Sequence, residues 1–194
     1  MCVSVFLGST AQAGAQEWTV DAVMSALRGL KYAEATFTEV RHSSFLKKPL
    51  ELNGTFVYEA PRTFVKKTFK PYPETVTVDA NGVKIEQEKS AQEGQSRTQF
   101  IAADAHPLVQ GLVDSAEATM SGKRELLEAR YELEISGTGE MWTVTLVPKE
   151  ESLRKKLDSL SFEGSGDLIK HAEINEADGD RSIIDLDYLK VERN

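Results

Sequence analysis

The sequence predicts a mostly β fold with a minor helical part: one curved antiparallel sheet of about ten or eleven strands, forming an incomplete, half-open barrel covered by short helices. Three observations carry this expectation. Leu50, Leu52, Phe56 and Tyr58 alternate with Glu51, Asn53, Thr55, Val57 and Glu59, which is the period of two of a strand with one wet face. Asn81-Gly82 stands between Val76/Val78 and Val83/Ile85, the strongest hairpin signal in the chain. Helical spacing is confined to two regions, and strands joined by short turns favour an antiparallel sheet over parallel βαβ units. A sheet with one apolar face packs it against something or leaves it for a ligand.

The elements follow in chain order. Val3, Val5, Phe6 and Leu7 precede small residues, and Ala11-Gln12-Ala13 and Ala13-Gly14-Ala15 fit a small-x-small cleavage pattern. Residues 1–15 are therefore expected to be the end of a secretory signal whose true start lies upstream, leaving residues 16–194 as a single domain. Cys2 is the one cysteine and would leave with that signal, so the mature chain is expected to have no disulfide. Val20, Val23, Met24, Leu27 and Leu30 recur at helical spacing after Thr19 and Asp21, which predicts a short capped amphipathic helix. Residues 32–44 then alternate, with Ala33, Ala35 and Phe37 on one face.

From Gly54 to Gly82 the chain reads as strand, Pro61 stop, strand, two spaced prolines, strand and hairpin turn. Residues 105–129 break the alternation. His106-Pro107 begins a helix with Leu108, Val109, Leu112 and Val113 inward, and Leu126 and Leu127 mark a second short turn after Ser121-Gly122. Alternation returns in Tyr131/Leu133/Ile135, Trp142/Val144/Leu146, Leu160/Phe162 and Leu168 to Ile174, and a last strand after Asp178-Gly179 runs through Ile184, Leu186 and Tyr188.

Composition narrows the function classes. The 194 residues carry a net charge of -8, which argues against a nucleic-acid partner and against docking on an anionic membrane surface. Beyond the leading segment no stretch approaches the ~20 apolar residues of a membrane span. His42, His106 and His171 have no metal-ligand spacing, and neither a nucleophile elbow nor a phosphate loop is present. The acidic pairs Glu86/Glu88 and Asp178/Asp180 read as solvated strand edges and turns. Hence no catalytic residue, metal or cofactor is assigned, and the chain is expected not to be an enzyme.

Phe37-Thr38-Glu39, Gly54-Thr55-Phe56-Val57-Tyr58 ending at Pro61, Pro73-Glu74, Asp79-Ala80-Asn81-Gly82 and Thr145-Leu146-Val147-Pro148-Lys149 together resemble the LolA family of periplasmic lipoprotein carriers of Gram-negative bacteria. The resemblance runs in order over roughly residues 20 to 187, and residues 126–131 and 176–182 look more like its LolA-related subgroup. It implies an incomplete barrel with a helical lid, whose apolar interior holds acyl chains. Burying a CH₂ is worth about 0.8 kcal/mol, so a sixteen-carbon chain in water costs on the order of 12 kcal/mol, and such a lipid needs a carrier to cross an aqueous space.

For this chain the resemblance implies a monomeric periplasmic carrier of an acylated lipoprotein or other lipid cargo. An inner-membrane transporter and an outer-membrane acceptor would be its partners. A lipid-sensing or interaction module on the same fold, similar to the LolA-like domain of RseB, is the alternative. Phe37, Leu52, Phe56, Tyr58, Phe69, Leu112, Leu133, Trp142, Leu146, Leu160 and Phe162, which lie on apolar strand or helix faces, are the candidate cavity lining; ordinary core packing would select the same residue types. Two departures stand out. The family's gating Arg precedes the Pro that ends the second strand, where this chain has Ala60; Arg62, just past Pro61, is the substitute candidate. The chain also ends at Asn194, without the family's added C-terminal segment.

Overall fold

A computed structural model describes residues 19–87, 96–102, 118–119 and 122–194. The expected signal segment and the helix expected from His106-Pro107, with Leu108, Val109, Leu112 and Val113, lie outside the described residues. Within them the chain runs α1 (Val20–Arg28), β1 (Leu30–His42), β2 (Leu50–Glu59), β3 (Thr63–Lys70), β4 (Glu74–Asp79), β5 (Gly82–Gln87) and β6 (Arg97–Ala102). It continues through α2 (Arg124–Arg130), β7 (Tyr131–Gly137), β8 (Trp142–Pro148), α3 (Glu151–Arg154), β9 (Leu157–Ser165), β10 (Leu168–Glu176) and β11 (Arg181–Arg193).

The strands form one 11-stranded antiparallel sheet in the order β6-β5-β4-β3-β2-β1-β11-β10-β9-β8-β7. Its edges, β6 and β7, are not paired with each other, so the sheet does not close into a barrel. Every strand pairs with the next in sequence except β6 and β7, which lie at opposite edges, and at the centre β1 pairs with β11 from Leu30↔Arg193 to His42↔Arg181. The fold is thus two meanders joined along that one seam.

Local chemistry explains the element ends. Thr19 caps α1, its side-chain oxygen accepting the Ala22 amide at 3.2 Å, and Asp21 and Arg28 complement the helix dipole in the first and last turns. The apolar stripe of α1 continues in sequence to Leu30, but Gly29 ends the helix and Leu30 opens β1. In the hairpin turn the Asp79 carboxylate accepts the Asn81 amide at 2.7 Å, and Gly82 supplies the left-handed backbone (φ 146°) that side chains disfavour. Two elements carry little sequence signal. β6 is almost wholly exposed and does not alternate in burial, and α3 is a single turn with no buried residue.

Two aromatic rings lie directly over glycines. The Phe37 ring lies over Gly54 of β2, where an added Cβ would meet Phe37 Cε1 at 2.9 Å and the Lys67 carbonyl oxygen at 1.8 Å. Trp142 of β8 likewise covers Gly164 of β9, where a Cβ would fall 2.3 Å from the indole Cζ2.

Candidate functional site: the inner face of the sheet

Parity along the strands and the register between them define the face that α1 covers. On its β7–β9 side, Val23, Met24 and Leu27 of α1 and Leu127 of α2 pack with Tyr131, Trp142, Val144 and Leu146 into one buried cluster, which Leu133, Leu160 and Phe162 border. The Trp142 indole N–H donates to the Gly166 carbonyl at 2.9 Å, and the Arg28 guanidinium donates to the Gly122 carbonyl at 2.9 Å, holding α1 to the start of α2. The free space left there, lined by Met24, Leu27, Trp142, Val144, Leu146 and Phe162 among others, is about 10 Å³. That is about one water-sized probe, so this half is a filled core.

The other half is built differently. Register aligns Ala33, Tyr58, Phe64, Val78, Val83 and Ile101 in one row across β1–β6, and Ala35, Phe56, Lys66, Val76 and Ile85 in the next. Ala33, Ala35, Tyr58 and Val83 are buried, whereas Phe56, Phe64, Val76, Val78 and Ile85 stay half-buried. Phe64 stacks at 5.2 Å from Tyr58 and 6.1 Å from Phe56, centroid to centroid. Ile169 packs against this cluster and against the filled core, so the two are continuous. The Tyr188 hydroxyl donates to the Ile169 carbonyl at 2.8 Å, and burial raises its pKa, which keeps it neutral.

A charged network bounds the apolar rows. Glu39 is 1 % exposed; its Oε1 accepts from Arg41 Nη2 at 2.7 Å and Nε at 3.2 Å, and its Oε2 from Lys66 Nζ. Arg41 Nε also reaches Ser182 Oγ at 3.3 Å, and Lys66 Nζ sits 4.9 Å from the centroid of the Phe37 ring. Burial pushes the Glu39 carboxyl pKa up, but the hydrogen bonds and charges of Lys66 and Arg41 outweigh it and hold the group below the usual carboxylate range. A carboxylate held ionised with both oxygens occupied is an anchor for three strands, not a proton donor.

The expected lining residues thus fall into distinct places. Trp142, Leu146, Leu133, Leu160 and Phe162 belong to the filled core. Phe56 and Tyr58 lie on the second half, Phe37 is buried beneath Lys66, and Leu52 is half-buried opposite Glu39. Phe69 corrects its expectation: it is 45 % exposed on the outer face, bordering an open groove of about 340 Å³ with Thr36, Thr38, Asn53, Asp185 and Asp187. The cause is strand alternation: Thr68 turns inward with Phe64 and Lys66, so Phe69 turns outward, and the register shift from Asn53↔Lys70 to Gly54↔Thr68 leaves it as the extra residue opposite β2. Leu112 lies outside the described residues, and Arg62 is half-buried in the turn joining β2 to β3.

Phe64, Glu39, Arg41 and Lys66 were missed as site residues. Glu39 shares parity with Ala33, Ala35 and Phe37, which is the signal that would have found it. His171 Nδ1 pairs with Asp185 at 2.7 Å, while His42 ends β1 opposite Arg181. Among the described residues no cluster of three or more His, Cys, Asp or Glu is arranged to hold a metal, and no helix is long and apolar enough to cross a membrane.

Comparison with known proteins gives one family. The model of the family described as outer membrane lipoprotein carrier protein LolA-like matches residues 12–186. A search of curated proteins found no match. Among solved structures, a LolA superfamily protein from Nitrosomonas europaea aligns with a TM-score of 0.41 and 7 % identity over 91 % of this chain and 94 % of its own. The MucA/MucB complex of Pseudomonas aeruginosa aligns with a TM-score of 0.42 and 10 % identity over 90 % of this chain and 57 % of the matched chain. A DUF1329 family protein from Desulfovibrio piger gives 0.33 and 9 % over 90 % of each chain. The assignment rests on the family match, not on these distant structures.

Proposed function

The chain belongs to the family of LolA-like proteins, and from that premise we propose that it is a periplasmic carrier or chaperone for acyl chains. It takes an acylated lipoprotein or another lipidated cargo from an inner-membrane transporter to an outer-membrane acceptor, as a monomer and without catalysis. The observation that supports this reading is the half-buried pair of apolar rows across β2–β5, with Phe56, Phe64, Val76, Val78 and Ile85. A sheet face whose aromatics are neither exposed nor sealed accepts an apolar ligand and releases it, since the desolvation gained on binding is only part of the about 0.8 kcal/mol per CH₂ of full burial. Arg62 stands as the gating candidate.

Titration of delipidated protein with a fluorescent fatty acid tests it. Saturable binding at micromolar concentration is expected, together with its loss in Phe64→Asp; wild-type protein that binds no acyl chain in that range sinks the reading.

A second reading, a lipid-sensing or protein-interaction module similar to the LolA-like domain of RseB, is favoured by the filled half: about 10 Å³ beneath α1 and α2 admits no acyl chain. A stable protein complex recovered with and without lipid would favour this module over the carrier.

A further inference from the structure

The antiparallel connections bring two polar-apolar tips to one end of the sheet. β1 ends at His42 and β2 begins at Leu50, and Lys70 at the end of β3 pairs with Asn53 near the start of β2. The 43–49 loop and the 71–73 turn therefore project from the same end of adjacent hairpins. The loop exposes Phe45 (89 %) and Leu46 (43 %), followed by exposed Lys47 and Lys48, and the turn exposes Tyr72 (71 %) between Pro71 and Pro73, beside exposed Lys70.

These side chains are presented, not stray. The loop is held by the Leu46 amide donating to the Ser43 carbonyl at 3.0 Å and by the Ser44 amide donating to Asp180 Oδ1 at 2.8 Å. The neighbouring acidic turn is engaged in the same way, the Asp178 carboxylate accepting the Asp180 amide at 3.1 Å. Proline at 49, 71 and 73 restricts the backbone on both tips.

We propose that this rim docks on an anionic lipid bilayer, Phe45, Leu46 and Tyr72 entering the headgroup region while Lys47, Lys48 and Lys70 meet lipid phosphates. An amphipathic aromatic beside a lysine suits the lipid interface, where no matching shape is required. A protein partner is the weaker occupant, because a few side chains on two short tips fall well short of the roughly 1,200 Å² that a stable protein interface buries. The net charge of -8 acts on the rim mainly through its nearest acids, Asp180 on the Ser44 amide and Glu74 beside Pro73, since charges farther away than the Debye length of about 8 Å at physiological salt are largely screened; Lys47, Lys48 and Lys70 are exposed on the tips themselves.

Flotation with liposomes tests the surface on the whole chain. Phosphatidylglycerol-containing vesicles at low salt are expected to carry the protein at least about tenfold better than pure phosphatidylcholine vesicles. Phe45→Ser with Tyr72→Ser should reduce recovery about tenfold, and Lys47→Gln with Lys48→Gln should remove the preference for anionic lipid, with melting temperature and circular dichroism unchanged in both because every altered side chain is exposed. Failure to float with any vesicle, recovery equal in wild type and variants, or binding only to native membranes and lost on protease treatment of those membranes would each overturn the proposal. None of these results bears on acyl binding, which is measured without membranes.

Discussion

The two halves of the inner face obey the same register rules and end in different states. On the β7–β9 side, Trp142 covers Gly164, its N–H is satisfied by a carbonyl, and α1 and α2 seal the rest to a residual 10 Å³. On the β1–β5 side, Phe37 covers Gly54 by the same device but carries an ammonium on its ring, and Phe56 and Phe64 remain half-buried. One half has spent its apolar surface on stability, and the other leaves part of it incompletely sealed, where the proposed acyl site lies. An apolar face alone therefore does not mark a binding site.

That contrast is open to direct attack. The largest effect should come from Trp142→Ala, which removes a 1 %-exposed side chain and is expected to cost about 3–5 kcal/mol. Phe64→Ala, on the half-buried side, should cost about half as much while weakening acyl binding, which Trp142→Ala leaves in place in whatever fraction stays folded. Urea denaturation of the two variants beside fatty-acid titration separates them, and equal losses of stability would erase the distinction between the halves.

Next in size is Glu39→Gln, which keeps the shape and removes the charge that Lys66 and Arg41 surround; a loss of about 1–3 kcal/mol near neutral pH is expected. Because the folded-state pKa of Glu39 is lowered, its contribution is complete above the unfolded carboxylate value of about 4.3. It disappears as pH falls through the lower folded value. The gap between wild type and variant should therefore close in acid, and a gap that persists at pH 2 would mean that packing, not charge, carries it. The smallest effect belongs to Thr19→Ala, which loosens the α1 cover at its capped end and should lower stability by about 1 kcal/mol without altering acyl affinity.

Much of the scaffold was legible because it rests on local chemistry. Thr19 announced a cap, Asn81-Gly82 a hairpin, and alternation from Tyr131 onward the second meander. The site was less legible, because residue type does not tell a sealed core from an open one: Trp142 and Phe56 suit either state, and which state obtains depends on the helices that pack over them. Phe69 was misplaced on its apolar character, against its parity in β3. Its five-residue separation from Phe64 is an odd count, which in a regular strand already sets the two rings on opposite faces. Glu39 breaks the usual exposure of carboxylates, because its parity with Phe37 puts it on the buried face.

The pairing of β1 with β11 also orders events in time. Each meander zips up between neighbours in sequence, but the seam joins residues such as Thr36 and Asp187, 151 positions apart. Contacts that distant are slow to form, and until β11 arrives both β1 and β10 present bare backbone edges of the kind that recruit other chains. A nascent chain is thus expected to be most prone to aggregation just before the thirteen-residue β11 is in place, and a chaperone that shields β1 would act at that moment.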